Sequence, residues 1–155
     1  MPPKRSIGSG CNTGKPVNIK KGQFLAPHDT KNIVQKMASF NASGTMLCER
    51  GTSFGYNTLI VDMPGLEVMR SFGVPVCFDA THSAQRPGGA GETTGGVRES
   101  IPAMVRAAVA VGIDALFLEV HPDPKNALSD AATQWPLDKA KELLDKVHKI
   151  QEATK

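Results

Sequence analysis

Four short runs of the chain, at residues 17–19, 45–48, 74–78 and 115–118, are almost wholly apolar instead of alternating between apolar and polar side chains. A strand with one solvated face alternates with period two. Unbroken runs of this length therefore mark strands covered on both faces, as in a parallel sheet with helices packed against it. The stretches between the runs are long enough for crossover helices, and helix signals fall inside them. Asp29, after Pro27, is a good N-cap residue, followed by Ile33, Val34 and Met37 on one face. A shorter helix is expected over residues 66–72, and another over 97–111 with Pro102 near its first turns and Gly112 as its stop. The last begins at Pro136 and aligns Leu137, Ala140, Leu143, Leu144, Val147 and Ile150 in one stripe. The fold class is α/β.

Length and charge narrow the function. A chain of 155 residues holds one domain, and it is shorter than a complete α/β barrel, which takes about 250 residues. With 18 Lys and Arg against 15 Asp and Glu, the net charge of +3 is spread along the chain and leaves no electrostatic footprint for nucleic acid. The most apolar long stretch, 103–120, is broken by Arg106, Asp114 and Glu119, which excludes a membrane span there. Lys4 and Arg5 are not followed by the apolar core of a signal peptide, so the expected location is the cytoplasm. Cys11, Cys48 and Cys77 are odd in number and form no CxxC pair, which suits free thiols. Residues 1–13 are polar and patternless and read as a disordered leader, with the domain over 14–155. Residues 85–96, with five glycines and one proline in twelve positions, read as a mobile functional loop and not as a regular element.

Chemistry gathers where the apolar runs end. Lys20 and Lys21 follow the first, Glu49 and Arg50 the second, Asp79 and His82 the third, and Glu119 and His121 the fourth. In parallel α/β architectures that edge collects loops and helix N-termini and is where substrates bind. One of the two lysines together with Arg50 suits a phosphate or carboxylate, the guanidinium as a planar fork and the ammonium as a point charge. Strand alternation lets only one lysine of the pair face the interior. His82, Glu119 and Asp130 offer one nitrogen and two carboxylate ligands, an inventory suited to a divalent first-row metal. The plainer reading of each is a solvated charge or a hydrogen-bonded histidine.

The runs Val-Asn-Ile-Lys-Lys-Gly-Gln-Phe-Leu-Ala-Pro at 17–27, Leu-Cys-Glu-Arg-Gly-Thr-Ser-Phe-Gly-Tyr at 47–56, Phe-Asp-Ala-Thr-His-Ser at 78–83 and Phe-Leu-Glu-Val-His-Pro-Asp-Pro at 117–124 closely resemble the 3-deoxy-D-manno-octulosonate 8-phosphate synthases. The resemblance extends from about Thr13 to the C-terminus. It implies a TIM (β/α)8 barrel, of which this chain matches strands five to eight and their helices, usually in a homotetramer. The implied reaction condenses phosphoenolpyruvate with D-arabinose 5-phosphate, releasing phosphate, in the Kdo branch of lipopolysaccharide biosynthesis. By motif, Lys20 and Arg50 match residues that hold phosphoenolpyruvate. His82, Glu119 and Asp130 match three ligands of the metal-dependent class, whose divalent ion is iron, zinc, manganese or similar. Residues 85–96 match the loop that closes over the substrates. The family's first four βα units, with a cysteine metal ligand and much of the sugar phosphate site, have no counterpart in the residues before Thr13, and nothing places Cys11 at that ligand's position.

Three alternatives stand beside the synthase reading. One is an inactive truncated remnant, a second is a split-barrel subunit needing an N-terminal half, and a third is the related 3-deoxy-heptulosonate 7-phosphate synthase. Exposed strand edges predict an oligomer in any of them.

Overall fold

The four apolar runs form four parallel strands in a computed structural model of the chain, which describes residues 14–90 and 93–154. Strands β1 (Val17–Lys20), β2 (Thr45–Glu49), β3 (Val76–Asp79) and β4 (Ala115–Phe117) are neighbours in the same order in space as in sequence. Such an order arises when every crossover runs the same way, which puts the connecting helices on one face of the sheet. The sheet with its helices is compatible with part of an α/β barrel. β3 is buried on both faces, as an unbroken apolar run requires. β1 departs from that expectation: it lies at an edge of the sheet, where Asn18 and Lys20 are exposed while Val17 and Ile19 are half-buried.

Leu47, Val76 and Phe78 from the sheet meet Leu66, Met69, Ile101, Val105, Ala108, Val109 and Leu143 from the helices, all buried. Each such side chain contributes about 1.5–3 kcal/mol on burial. The helices are α1 (Thr30–Ser39), α2 (Met63–Arg70), α3 (Ile101–Val111) and α4 (Ala140–Ala153).

Their ends correct several expectations. Asp29 occupies the cap position of α1, but its side chain makes no capping bond, because a 3-10 turn over Pro27–Asp29 already coils the chain upstream. α2 starts earlier than expected, where the Asp62 carboxylate accepts from the Gly65 amide and Pro64 sits in the first turn. α3 ends as read, with Gly112 left-handed at φ 104°. Only α-helical period puts α4's stripe on the core, and the chain from Leu137 to Lys139 is a 3-10 turn. Leu137 accordingly stays exposed, and Leu144 sits on the open flank beside buried Leu143.

The largest departure is in residues 85–96. Instead of an irregular loop they form an antiparallel ribbon, Gln85–Ala90 against Thr93–Gly96. Glycine makes this possible by adopting φ 67° at Gly88 and by letting backbones approach closely at Gly95 and Gly96. Asn57 donates to the Pro87 carbonyl at 2.5 Å and ties the ribbon to the loop after β2. The expected leader lies outside the described residues. Among the described residues no helix is long and apolar enough to cross a membrane.

Candidate active site

Asp79 ends β3 with its carboxylate fully buried, and the chain turns at once into a single helical turn, Ala80–Ser83. The carboxylate caps that turn by accepting from the His82 amide at 3.0 Å. It also meets the imidazole: Nδ1 of His82 lies 2.8 Å from Oδ2 and 3.0 Å from Oδ1. Lys20, at the end of β1, reaches the same Oδ2 at 2.6 Å. Because Asp79 is acceptor-only, Nδ1 must carry the imidazole proton. The Lys20 ammonium, 3.2 Å from Nδ1, is then held by the shared carboxylate. Burial pushes the Asp79 carboxyl up, but the bonds from the His82 ring, Lys20 and the His82 amide outweigh it and hold the carboxyl below the ordinary aspartate range.

With its proton on Nδ1, His82 presents the lone pair of Nε2 to the opposite side. There Glu119 Oε1 lies at 3.5 Å and Asp130 Oδ2 at 3.9 Å. One ligand atom from each of the three residues falls within 4.8 Å of the others. An ion at bond lengths of about 2.0–2.6 Å needs donors no farther apart than roughly twice that length. The trio meets that limit, and a carboxylate behind the histidine is the usual outer partner of a metal-bound imidazole. The donors, one imidazole and two carboxylates, fit a divalent cation.

Each carboxylate is itself held. The Glu119 amide donates to Thr81 Oγ1 at 2.8 Å, and its Oε2 accepts from Gln134 Nε2 at 2.9 Å. A short parallel ladder, Val120–His121 beside Trp135–Pro136, closes the loop that carries Asp130 back onto Glu119. Asp130 is left-handed at φ 52°, and its carbonyl accepts from the Thr133 and Gln134 amides. Its Oδ1 accepts from Gln85 Nε2, and Gln85 Oε1 accepts in turn from Arg50 Nη2 at 2.9 Å. A single amide side chain thus joins the candidate anion-binding arginine to the candidate metal ligand. The other terminal nitrogen of Arg50, Nη1, is buried with no hydrogen-bond partner among the described residues.

The two lysines divide as alternation requires. Lys20 faces the inner side of the sheet, with its ammonium 4.5 Å above the Phe117 ring. Lys21 is buried against Glu49 at 3.6 Å and donates to Thr52 Oγ1 at 2.9 Å and to the Leu25 carbonyl at 3.2 Å. Glu49 accepts from the Gly51 amide at 2.6 Å. Burial pushes the Glu49 carboxyl above its ordinary range against the opposing pull of Lys21. This pair staples the start of the loop after β1 to the end of β2, beside Lys20 and Arg50. His121 stays apart from the cluster and accepts from the Asp123 amide.

The five residues singled out from sequence therefore gather at one edge. Sequence reading missed the roles of Asp79, Gln85 and Gln134. Asp79 carried a signal, a carboxylate three positions before His82 at a strand-to-helix turn, whereas the two glutamines carried none.

The chain is 58% identical over 149 residues to proteins named 2-dehydro-3-deoxyphosphooctonate aldolase from Xanthomonas oryzae pv. oryzae (strain PXO99A) and Xanthomonas campestris pv. campestris (strain B100). These alignments cover 96% of this chain and 54% of each relative. A protein of the same name from Stenotrophomonas maltophilia (strain K279a) is 57% identical over 145 residues, covering 94% of this chain and 52% of that protein. The chain spans about half the length of the curated relatives it matches. The family match begins at residue 8, inside the stretch that motif reading left unmatched. With residues 8–155 matching its profile, the chain belongs to the DAHP synthetase I family.

Proposed function

We propose that residues 14–155 form strands five to eight, with their helices, of a metal-dependent 3-deoxy-D-manno-octulosonate 8-phosphate synthase. They act with the first half of the barrel, on the same or a complementary chain, in a homo-oligomer. The substrates are phosphoenolpyruvate and D-arabinose 5-phosphate. The observation that carries this reading is the Arg50–Gln85–Asp130 connection, which sets an anion-binding guanidinium beside a three-donor metal cluster.

Arg50 offers its buried Nη1, unpartnered among the described residues, to an oxygen of phosphoenolpyruvate, and Lys20 adds a second positive charge from β1. Two anionic substrates repel each other, and fixed cations offset that repulsion while holding the reacting carbons together. His82, Glu119 and Asp130 hold a divalent ion, iron, zinc or manganese, which acts as a Lewis acid when bound. Asp79 keeps the His82 proton on Nδ1 and so keeps Nε2 free to ligate. The related 3-deoxy-heptulosonate 7-phosphate synthase reaction would use the same anion and metal groups with a different sugar phosphate.

The test is to assay the purified chain, alone and mixed with a separately produced first half from a relative, with phosphoenolpyruvate and divalent metal. Arabinose 5-phosphate and erythrose 4-phosphate are supplied in separate reactions. Turnover of the five-carbon sugar by the mixture, abolished by chelation and by Arg50→Ala, is expected. Turnover of erythrose 4-phosphate alone would favour the heptulosonate reading, and a mixture that is folded and metal-loaded yet inert would overturn both.

A further inference from the structure

Beneath the His82 cluster, on the same inner face of the sheet, lies a second set of ligand atoms that the reaction does not use. Cys48 of β2 and Cys77 of β3 are register partners on adjacent parallel strands, and both are buried. Partners in register point to one face, and neighbouring strands are about 4.8 Å apart. Lys20 is the register partner of Cys48 on its other side, and Asp79 follows Cys77 by two positions on the same face. The two thiols therefore sit side by side between a cationic strand end and a carboxylate already engaged by Lys20 and His82.

We infer that Cys48 and Cys77 form a two-thiolate site for a soft monovalent metal ion, Cu(I). Thiolate sulphur selects Cu(I) over the harder cations that suit carboxylate and imidazole donors. A tetrahedral zinc site needs four donors, and Asp79, two positions after Cys77 on the same face, is engaged by Lys20 and His82. Two-coordinate sulphur ligation needs only the pair, and metal–sulphur bonds of about 2.3 Å on either side of an ion span close to the strand spacing. Binding displaces both thiol protons: two thiols and one Cu(I) give a bis-thiolate complex of charge −1 and two released protons. Lys20 lies alongside to offset that charge. The Cys48 thiol now donates to the Glu49 carbonyl at 3.7 Å, a weak bond that is given up when the thiolate forms.

The experiment uses the full chain carrying Cys11→Ser, which removes the third thiol from the count. Under anaerobic conditions Cu(I) is titrated against a coloured Cu(I) chelator while proton release is followed in weak buffer. The expected result is one equivalent retained with two protons released, and loss of that equivalent when Cys48→Ser or Cys77→Ser is added. X-ray absorption on the loaded Cys11→Ser protein keeps the test independent of how those variants fold, and two sulphur donors with no nitrogen or oxygen are expected. Nitrogen or oxygen at the copper, retention of the equivalent after loss of both cysteines, or failure of the folded Cys11→Ser chain to compete with the chelator would each overturn the inference.

Discussion

Nδ1 of His82 lies 2.8 Å from the buried Oδ2 of Asp79, and that contact fixes which imidazole nitrogen can serve as a ligand. Asp79→Asn replaces a pure acceptor by a group that can present its amide to Nδ1 and so favour the wrong tautomer. Divalent metal affinity is expected to fall about 10–100-fold, as for other outer partners of metal-bound histidines. Metal titration with circular dichroism as a folding control checks it. Unchanged affinity in a folded variant would remove Asp79 from this role.

Gln85 offers a different kind of lesion, because it touches both halves of the site. Gln85→Leu leaves Arg50 Nη2 and Asp130 Oδ1 without the partner that now joins them. Hydrogen bonds to charged groups are worth about 1.5–3 kcal/mol, so phosphoenolpyruvate and metal affinities should each fall roughly 10–100-fold. Calorimetric titrations with each ligand separate the two effects. A loss confined to one ligand would show that the amide does not couple them.

The Lys21–Glu49 pair predicts a stability effect and a pH effect. Glu49→Gln strands a buried ammonium and should cost about 3–5 kcal/mol, whereas replacing both residues by apolar ones of similar volume should recover most of it. Because the folded-state carboxyl titrates above its ordinary value, the folded protein holds the proton more tightly than the unfolded chain. The stability that Glu49 contributes is therefore present below its unfolded value of about 4.3, and is lost as pH rises through the raised folded value. Urea unfolding at stepped pH should show this slope in the parent protein and not in Glu49→Gln.

Gly96 lies where a side chain has no room. A Cβ there would collide with the side chain of buried Thr133 and stand 3.1 Å from the Ala84 carbonyl. Thr133 belongs to the turn that carries Asp130, since its amide and hydroxyl both donate to the Asp130 carbonyl. Gly96→Ala is expected to cost about 1–3 kcal/mol and to weaken metal binding by displacing that turn. Thermal unfolding and metal titration together test this, and a destabilised variant with intact metal affinity would contradict the second half.

How much of this was legible in the sequence follows from which interactions are local. Unbroken apolar runs marked the strands, fully so in β3, which is covered on both faces, while the two edge strands β1 and β4 are less buried. Gly112 marked a helix end because left-handed backbone suits glycine. Asp29 misled because capping depends on the turn before it. The ribbon at residues 85–96 was hidden, because glycine signals freedom in a list of residues and close approach in a packed structure. Lys20, Arg50, His82 and Glu119 stood out by their places just after the apolar runs, and Asp130 by its motif alone. Gln85 did not, since its partners lie 35 and 45 positions away.

The left-handed backbone of Asp130 filters which mutations the lineage can explore at this position. Aspartate, asparagine and glycine tolerate φ 52°, whereas glutamate does not do so readily. A drift to glutamate would keep the charge and break the turn, while a drift to asparagine would keep the turn and discard the charge. The evolutionary step that leaves the backbone intact is thus the one that removes a candidate cation ligand, so a metal site at this position is more easily eroded than retuned.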